Sequence, residues 1–128
     1  MNDINQIYTK IDEQRALLAN LMASDNPVAP NQLSEVCVKL AVLNELLGGF
    51  LPVLKEAQLT KEAAIYKQTK ALNGTDTRAN AESRLGTLVE RKEFETADIK
   101  HSDLWKVISM AQSHIKALST EWMNGGQS

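Results

Sequence analysis

Two apolar repeats on either side of an Asn-Gly turn constrain the fold of this chain more than any other feature. In both repeats the residues recur at alternating spacings of three and four, which is the pattern of a helix face that packs along another helix. The first repeat comprises Leu33, Val36, Leu40, Leu43, Leu47, Phe50, Leu54 and Ala57. The second comprises Ala97, His101, Leu104, Ile108, Ala111, Ile115, Leu118 and Trp122. No stretch alternates with the period of a strand, so we expect an all-α fold.

The breaks between the repeats predict three helices, over about 3–23, 31–72 and 77–123. Two prolines mark a loop within 24–31, and Asn73-Gly74-Thr75 marks a tight turn. Gly48-Gly49 and Pro52 lie inside the second helix. Because the apolar repeat continues past them, we expect a kinked helix there, with a break at Gly48-Gly49 as the alternative.

The turn predicts that helix 3 folds back antiparallel along helix 2, with Ala57 near Arg91. The shorter helix 1 then covers only the apolar half of this pair. We therefore expect a single domain, 1–128, that is a long antiparallel helical hairpin with an N-terminal helix completing a three-helix bundle at one end. The bundle end comprises 1–57 and 94–123, the two-helix arm 58–93, and the frayed tail 124–128. The expected bundle core contains Leu40, Leu43, Leu47, Leu104, Ile108 and Ile115.

Composition excludes several classes of function. A length of 128 residues fits one domain, and a net charge of −2 gives no overall basic field for nucleic acid. The single cysteine, Cys37, cannot form an intrachain disulfide, so we expect a buried thiol and a reducing compartment. We expect no membrane span, because no run of 18 apolar residues occurs, and the N-terminus lacks the features of a signal peptide.

The residues that carry chemistry are sparse. His101 and His114 fall on nearly opposite faces of one helix and cannot share a metal, and we expect His101 to be a half-buried packing residue. The chain has no Gly-rich phosphate loop, nucleophile elbow or HExxH motif. We therefore expect a protein that is not an enzyme and that binds no cofactor or metal.

The basic residues are concentrated in the arm, because residues 61–92 carry seven Lys or Arg against four Asp or Glu. Tyr66 is an aromatic residue that could stack on a base. The candidate contacts to nucleic acid or to an acidic partner are Tyr66, Lys67, Lys70, Arg78, Arg84, Arg91 and Lys92. A simply solvated arm is the alternative.

A two-helix arm leaves part of its apolar surface uncovered. Ala81, Leu85 and Leu88 form a short repeat there, and we expect self-association, most simply a dimer, to cover such residues. The candidate oligomer contacts are Ile65, Leu72, Leu85, Leu88 and Val89, with packing across the hairpin as the alternative. We expect Trp105 and Trp122 to pack in the core, and a binding hot spot is the rival interpretation.

The order of residues from 63 to 122 resembles a known group of proteins. It runs Ala63-Ala64-Ile65-Tyr66-Lys67, the Asn-Gly-Thr turn, Ala81-Glu82, a charged run, and Ile108 followed by Gln112-Ser113 and Ile115-Lys116-Ala117-Leu118. This order resembles small all-helical accessory proteins of tailed bacteriophages, often encoded among early or recombination genes. The resemblance implies no catalytic motif and a cytoplasmic protein of the host bacterial cell.

Three functions follow as expectations. The first is a non-enzymatic phage accessory protein that oligomerises and binds single-stranded or duplex DNA, or a DNA-processing protein, during recombination or replication. The second is an inhibitor that binds a host protein such as a defence nuclease. The third is a structural or assembly protein of the virion.

Overall fold

The chain is all-helical in the computed structural model, which describes residues 3–24 and 30–125 and their side chains as far as Glu121. The four helices are α1 (Ile4–Met22), α2 (Pro30–Ala71), α3 (Asp76–Gly86) and α4 (Leu88–Gly125), and the described residues contain no strand. The predicted all-α class is confirmed. The loop predicted within 24–31 lies mostly outside the described residues.

Helix α1 begins where its sequence provides a cap. The Asp3 carboxylate accepts a hydrogen bond from the Gln6 amide at 2.9 Å, and the Gln6 side chain accepts from the Asp3 amide at 3.3 Å. This reciprocal capping satisfies backbone donors that a helix start leaves without partners. The predicted bounds are therefore confirmed to within one residue at each end.

Helix α2 is continuous through Gly48-Gly49 and Pro52, so the alternative of a break there is wrong. Its end forms the predicted turn. Asn73 has a left-handed backbone (φ 63), its amide donates to the Lys70 carbonyl, and the Gly74 amide donates to the Thr69 carbonyl, both at 3.1 Å. These two bonds define a Schellman cap. Thr75 then caps α3 by accepting from the Arg78 amide at 3.1 Å.

The single long helix predicted over 77–123 is wrong, because the helix is interrupted at Thr87. The Thr87 hydroxyl donates to the Ser83 carbonyl at 2.6 Å, while its amide donates to the Arg84 carbonyl at 3.3 Å. A side chain that bonds back to the preceding turn competes with the regular backbone pattern. The preceding Gly86 also has a low helix propensity. Helix α4 then extends to Gly125, two residues into the predicted tail, whose last three residues lie outside the described chain.

The chain divides into two compact units. The first unit contains Met1–Leu47 and His101–Ser128, and the second contains Gly48–Lys100. The first unit has an apolar core to which α1, α2 and α4 all contribute. Its buried apolar residues include Ile7, Ile11, Leu18, Leu33, Val36, Cys37, Leu40, Leu47, Leu104, Ile108 and Ala111.

The predicted core is partly confirmed. Four of its six members are fully buried, but Leu43 and Ile115 are only half-buried. Asn44, one residue after Leu43, is fully buried instead, and its amide nitrogen donates to the His101 carbonyl at 3.2 Å. The hydrogen bond offsets part of the cost of burying this amide, whose Oδ1 has no hydrogen-bond partner within the described residues.

Three single-residue predictions concern the first unit. Cys37 is buried as predicted, and burial raises the pKa of its thiol. His101 is half-buried, also as predicted. The core position predicted for Trp105 is wrong, because this side chain is 46% exposed and meets the His101 ring edge-on at 6.5 Å between centroids. The side chain of Trp122 lies outside the described residues.

One described helix, α2, is long and apolar enough to cross a membrane by length and composition. The expectation from the sequence that no segment spans a membrane stays a prediction. The most apolar 18-residue stretch of α2 is one third buried within the protein. The core helix of a soluble protein can have the same length and composition.

Candidate functional site

The helix contact of the second unit combines polar residues with the fully buried Ala79 and Ala97, and several large apolar residues lie on its surface. Gln58 on α2, Ser83 on α3 and Thr87 are each at most 7% exposed. In contrast, Leu72, Leu85, Leu88 and Val89 are 77%, 65%, 57% and 66% exposed. The alternative that Leu85 and Leu88 pack across the hairpin is therefore wrong, because small and polar residues occupy the contact.

This polar contact is organised around the Glu62 carboxylate. One Glu62 oxygen accepts from the Gln58 amide nitrogen at 3.3 Å and pairs with the Arg91 guanidinium. It also lies 3.4 Å from the Thr87 hydroxyl, whose proton goes to the Ser83 carbonyl. Arg91 additionally donates from Nε to the Thr87 hydroxyl at 3.3 Å. The Glu62 and Arg91 side chains are 19% and 35% exposed, so the pair is partly desolvated. The network fixes the register of α2 relative to the residues around Thr87, where α3 ends and α4 begins.

Neighbouring contacts extend the same antiparallel pairing. The Lys61 ammonium lies 2.6 Å from the Glu90 carboxylate, and the Lys55 ammonium lies 4.9 Å from the centre of the Phe94 ring. The Lys61 hydrogen bond lowers the pKa of Glu90. Within this pairing Arg91 meets Glu62, and the predicted contact of Arg91 with Ala57 is off by more than one helical turn.

A third polar cluster lies beside the turn. One Asp76 oxygen accepts from the Tyr66 hydroxyl at 2.7 Å and pairs with the Lys70 ammonium at 3.0 Å. These hydrogen bonds, that of Tyr66 first, lower the pKa of Asp76, while the bond to Asp76 raises the pKa of Tyr66 and of Lys70. The Tyr66 hydroxyl and the Lys70 ammonium are thereby committed to a contact within the chain.

The internal pairs separate the seven predicted contact residues into two groups. Tyr66, Lys70 and Arg91 have carboxylate partners, whereas Lys67, Arg78, Arg84 and Lys92 are exposed and have no ion pair within the described residues. Lys67 lies nine residues after the buried Gln58, which places it on the far side of α2. The structure therefore does not bring all four cations onto one surface.

Ile65 differs from the other predicted oligomer contacts. It is half-buried, and its Cδ1 lies where a side chain at Gly86 would begin. The absence of a Cβ at Gly86 lets Ile65 lie directly on the α3 backbone. Ile65 thus packs within the second unit, while Leu72, Leu85, Leu88 and Val89 remain exposed.

Each unit also has a surface groove. The groove in the second unit has a volume of about 210 Å³ and is lined by Thr69, Leu72, Gly74, Arg78 and Glu82. The groove in the first unit, between α1 and α2, has a volume of about 310 Å³. It is lined by Lys10, Glu13, Gln14, Val38, Lys39, Val42 and Leu43.

Within 3–24 and 30–125, no group of three His, Cys, Asp or Glu side chains could hold a metal ion. No known protein family, curated protein or solved structure matches the chain.

Sequence reasoning missed the polar residues at the helix contact. Gln58, Glu62, Ile65 and Thr69 recur at spacings of four, three and four, and Ala79, Ser83 and Thr87 at spacings of four. The recurrence of small and polar residues at helical spacing on both helices could have indicated this contact. The prediction relied instead on apolar stripes, because an apolar stripe normally identifies the packed face of a helix.

Proposed function

We propose that this protein is a non-enzymatic accessory protein of a tailed bacteriophage that acts in the host cytoplasm by binding DNA or a DNA-processing protein. The resemblance of residues 63–122 to small phage proteins supports the assignment to a bacteriophage and to the cytoplasm of its host. The exposed cations of the second unit supply the binding chemistry, and they are the observation that carries the proposal.

The internal ion pairs concentrate the positive charge on the surface. Of the seven cations in residues 61–92, Lys61, Lys70 and Arg91 pair with three of the four acids. Four exposed cations then stand against one remaining acid, Glu82. Exposed cations without an ion pair attract phosphates or acidic side chains.

The inhibitor of a host protein is the second candidate, and the half-exposed Trp105 favours it. Tryptophan is enriched among residues that dominate protein–protein binding.

In the first unit the exposed Val38, Val42 and Leu46 recur every four residues along α2 and offer a surface for self-association. A virion assembly protein would use the same kinds of surface.

The test is binding of short single-stranded and duplex oligonucleotides by fluorescence anisotropy across a series of salt concentrations. The test variant reverses Lys67, Arg78, Arg84 and Lys92 to Glu. The control variant reverses four exposed cations of the first unit, Lys10, Arg15, Lys106 and Lys116. Each lost phosphate contact reduces the slope of log K against log salt by about 0.9 on duplex DNA and about 0.7 on a single strand.

We expect the test variant to lose binding and the control variant to retain most of it. Equal loss in both variants would place the binding surface elsewhere. If the unmodified protein binds neither oligonucleotide at low salt, DNA is excluded as the partner and the protein partner remains.

A further inference from the structure

We propose that two copies of this chain pair antiparallel through the outer side of α3 and of the first turns of α4, about a twofold axis at Thr87. The centre of this interface is the outer patch, which consists of Leu85, Leu88 and Val89. The interface lies entirely within the second unit, and its existence does not rest on the proposed function.

The outer patch is an apolar surface that no described part of the chain covers. Leu85, Leu88 and Val89 are 65%, 57% and 66% exposed. Leu85 lies two residues after the buried Ser83, and two residues correspond to about 200° around a helix, so its side chain points away from α2. A partner that covers these three large side chains removes their apolar surface from water, which favours association.

The interruption at Thr87 does not divide this surface. The Thr87 amide still donates to the Arg84 carbonyl, and its carbonyl still accepts from the Arg91 amide at 2.9 Å. The residues that face α2 keep one spacing across the interruption, since Ser83, Thr87 and Arg91 recur every four residues. Thr87 and Arg91 both contact Glu62 of α2. The outward faces of α3 and of the first turns of α4 therefore lie on the same side of the second unit.

Charged residues of both signs border the outer patch at each end. Arg78 and Glu82 precede it on α3, and Lys92 and Glu93 follow it on α4. All four are exposed, and none has an ion pair within the described residues. A partner of one charge sign, such as a nucleic-acid backbone, would meet a like charge beside every attractive one. A matching partner must therefore present both signs at both ends.

A second copy of the chain meets this requirement when the two chains run antiparallel. A twofold axis at Thr87 places α3 of each copy opposite about the first three turns of α4 of the other. Leu85 then lies opposite Val89 of the other copy, because each is two residues from Thr87. Glu82 lies opposite Lys92 of the other copy, because each is five residues from Thr87.

Arg78 and Glu93 complete the two ends of the interface. Arg78 lies about one turn before Glu82 on the exposed side of α3, and Glu93 directly follows Lys92. Each end therefore brings the charged pair of α3 from one copy to the charged pair of α4 from the other, so that two cations meet two acids. Parallel pairing would instead place every charge opposite its own counterpart, so that like charges face each other.

Two further charges, Arg84 and Glu95, lie beside the interface. Each directly follows a residue at the contact with α2, Ser83 or Phe94, and one residue corresponds to about 100° around a helix. They therefore project from the same flank, where their opposite signs leave the interface neutral. Arg84, together with Lys67 on the far side of α2, remains available to the partner of the proposed function.

Charge reversal at the ends of the interface is the test, with the dimer measured by sedimentation equilibrium over about 1–300 μM protein. Glu82→Lys leaves three cations and one acid at each end, and Lys92→Glu leaves one cation and three acids. Each single variant should therefore weaken the dimer at least about tenfold.

Combining the two changes should restore the dimer. Glu82→Lys/Lys92→Glu again has two cations and two acids at each end, and its dissociation constant should return to within about threefold of that of the unmodified protein. A mixture of the two single variants should also dimerise, because each end of a mixed dimer is balanced. Neither a nucleic acid nor a different protein at this surface would produce such a rescue.

Two serine variants separate the outer patch from the apolar surface of the first unit. Leu85→Ser/Val89→Ser should weaken the dimer by about a hundredfold or more, because four apolar side chains lose their contact across the interface. The matched control is Val38→Ser/Val42→Ser, which changes two first-unit side chains that are 63% and 53% exposed. It should change the dissociation constant less than about twofold. Circular dichroism and thermal melting confirm that each variant retains its helices.

A protein that stays monomeric over the whole range would overturn the inference. A dimer that survives Leu85→Ser/Val89→Ser, or is lost in Val38→Ser/Val42→Ser, would do the same, as would loss in the single charge variants without recovery in the double variant. A monomer that binds oligonucleotides only with the outer patch intact would assign the patch to nucleic acid. A dimer with the expected rescue that binds no oligonucleotide would support the interface while removing DNA from the proposed function.

Discussion

Replacing Glu62 and Arg91 by leucine, singly and together, tests whether the second unit is held in register by a partly desolvated ion pair. Removing one partner of a fully buried pair costs about 3–5 kcal/mol, whereas exposed pairs contribute about 0–1 kcal/mol. With side chains 19% and 35% exposed, Glu62 and Arg91 lie between these limits. We expect Glu62→Leu to lower the free energy of unfolding by about 2 kcal/mol, since Arg91 and Gln58 lose their acceptor.

The double variant should recover most of that loss. It leaves no charge without a partner, and the two leucines bury apolar surface at the same contact. A coupling energy of about 1–2 kcal/mol between the two positions is therefore expected. The assay is urea denaturation followed by helical circular dichroism, with an unchanged m-value as the check that unfolding remains two-state.

Lys61 and Glu90 provide the matched comparison. Half of the Lys61 side chain is exposed, so breaking this pair should have the smaller effect. Additive single effects for Glu62 and Arg91, or single effects below about 0.5 kcal/mol, would contradict the reasoning, because the pair would then be no more than a solvated surface contact.

Three further predictions concern packing and pH. Leu47→Ala should lower the free energy of unfolding by about 3 kcal/mol, whereas the 44% exposed Leu46→Ala should cost about 1 kcal/mol, and equal effects in urea denaturation would contradict the described core. Gly86→Ala places a Cβ where the Ile65 Cδ1 lies, so its gain in helix propensity of up to about 1 kcal/mol should be larger in an Ile65→Ala background than in the unmodified protein, as compared by thermal melting. Because the folded state lowers the pKa of Asp76, the stability that this group contributes is complete above its ordinary pKa of about 4 and is lost as the pH falls through the folded pKa. The difference in melting temperature between the protein and Asp76→Asn should accordingly shrink below about pH 4 and stay constant from pH 5 to 7.

The features set by local chemistry were predictable from the sequence. Asp3 at the start of α1 and Asn73 at the end of α2 adopt the capping roles that their side chains and backbone preferences favour. The apolar repeat also correctly predicted that the helix continues through Pro52, since tertiary packing of a long helix offsets a local helix breaker.

The phase of the buried face was harder to predict where several faces are apolar. Along α2 the exposed Val38 and Val42 lie opposite the buried Leu40, so that apolar residues surround the helix. The heptad pattern predicted that Leu43 is buried in the core. Asn44 is instead the residue that is buried and hydrogen-bonded to the opposite helix. Periodicity cannot identify a buried polar residue whose partner is a backbone carbonyl far along the chain.

In the second unit the apolar pattern correctly identified Ala97 as buried but did not identify the polar contact residues. Leu85 and Leu88 are the most apolar residues of their segment, yet Ser83 and Thr87 make the contact, because small side chains permit close approach and the Thr87 hydroxyl accepts from Arg91. The candidate cations could be identified from the sequence. The sequence could not show which of them lack an ion pair, because the pairs join residues up to 29 positions apart.

The central claim is that α3 packs through small and polar residues and presents Leu85 outward, and thiol labelling measures this directly. Ser83→Cys and Leu85→Cys are compared in a Cys37→Ala background at low protein concentration, with iodoacetamide as the reagent. Ser83 is 7% exposed and Leu85 is 65% exposed. The account predicts that Leu85→Cys reacts at least about tenfold faster than Ser83→Cys, because labelling of a buried thiol requires local opening. Equal rates, or faster labelling of Ser83→Cys, would contradict it.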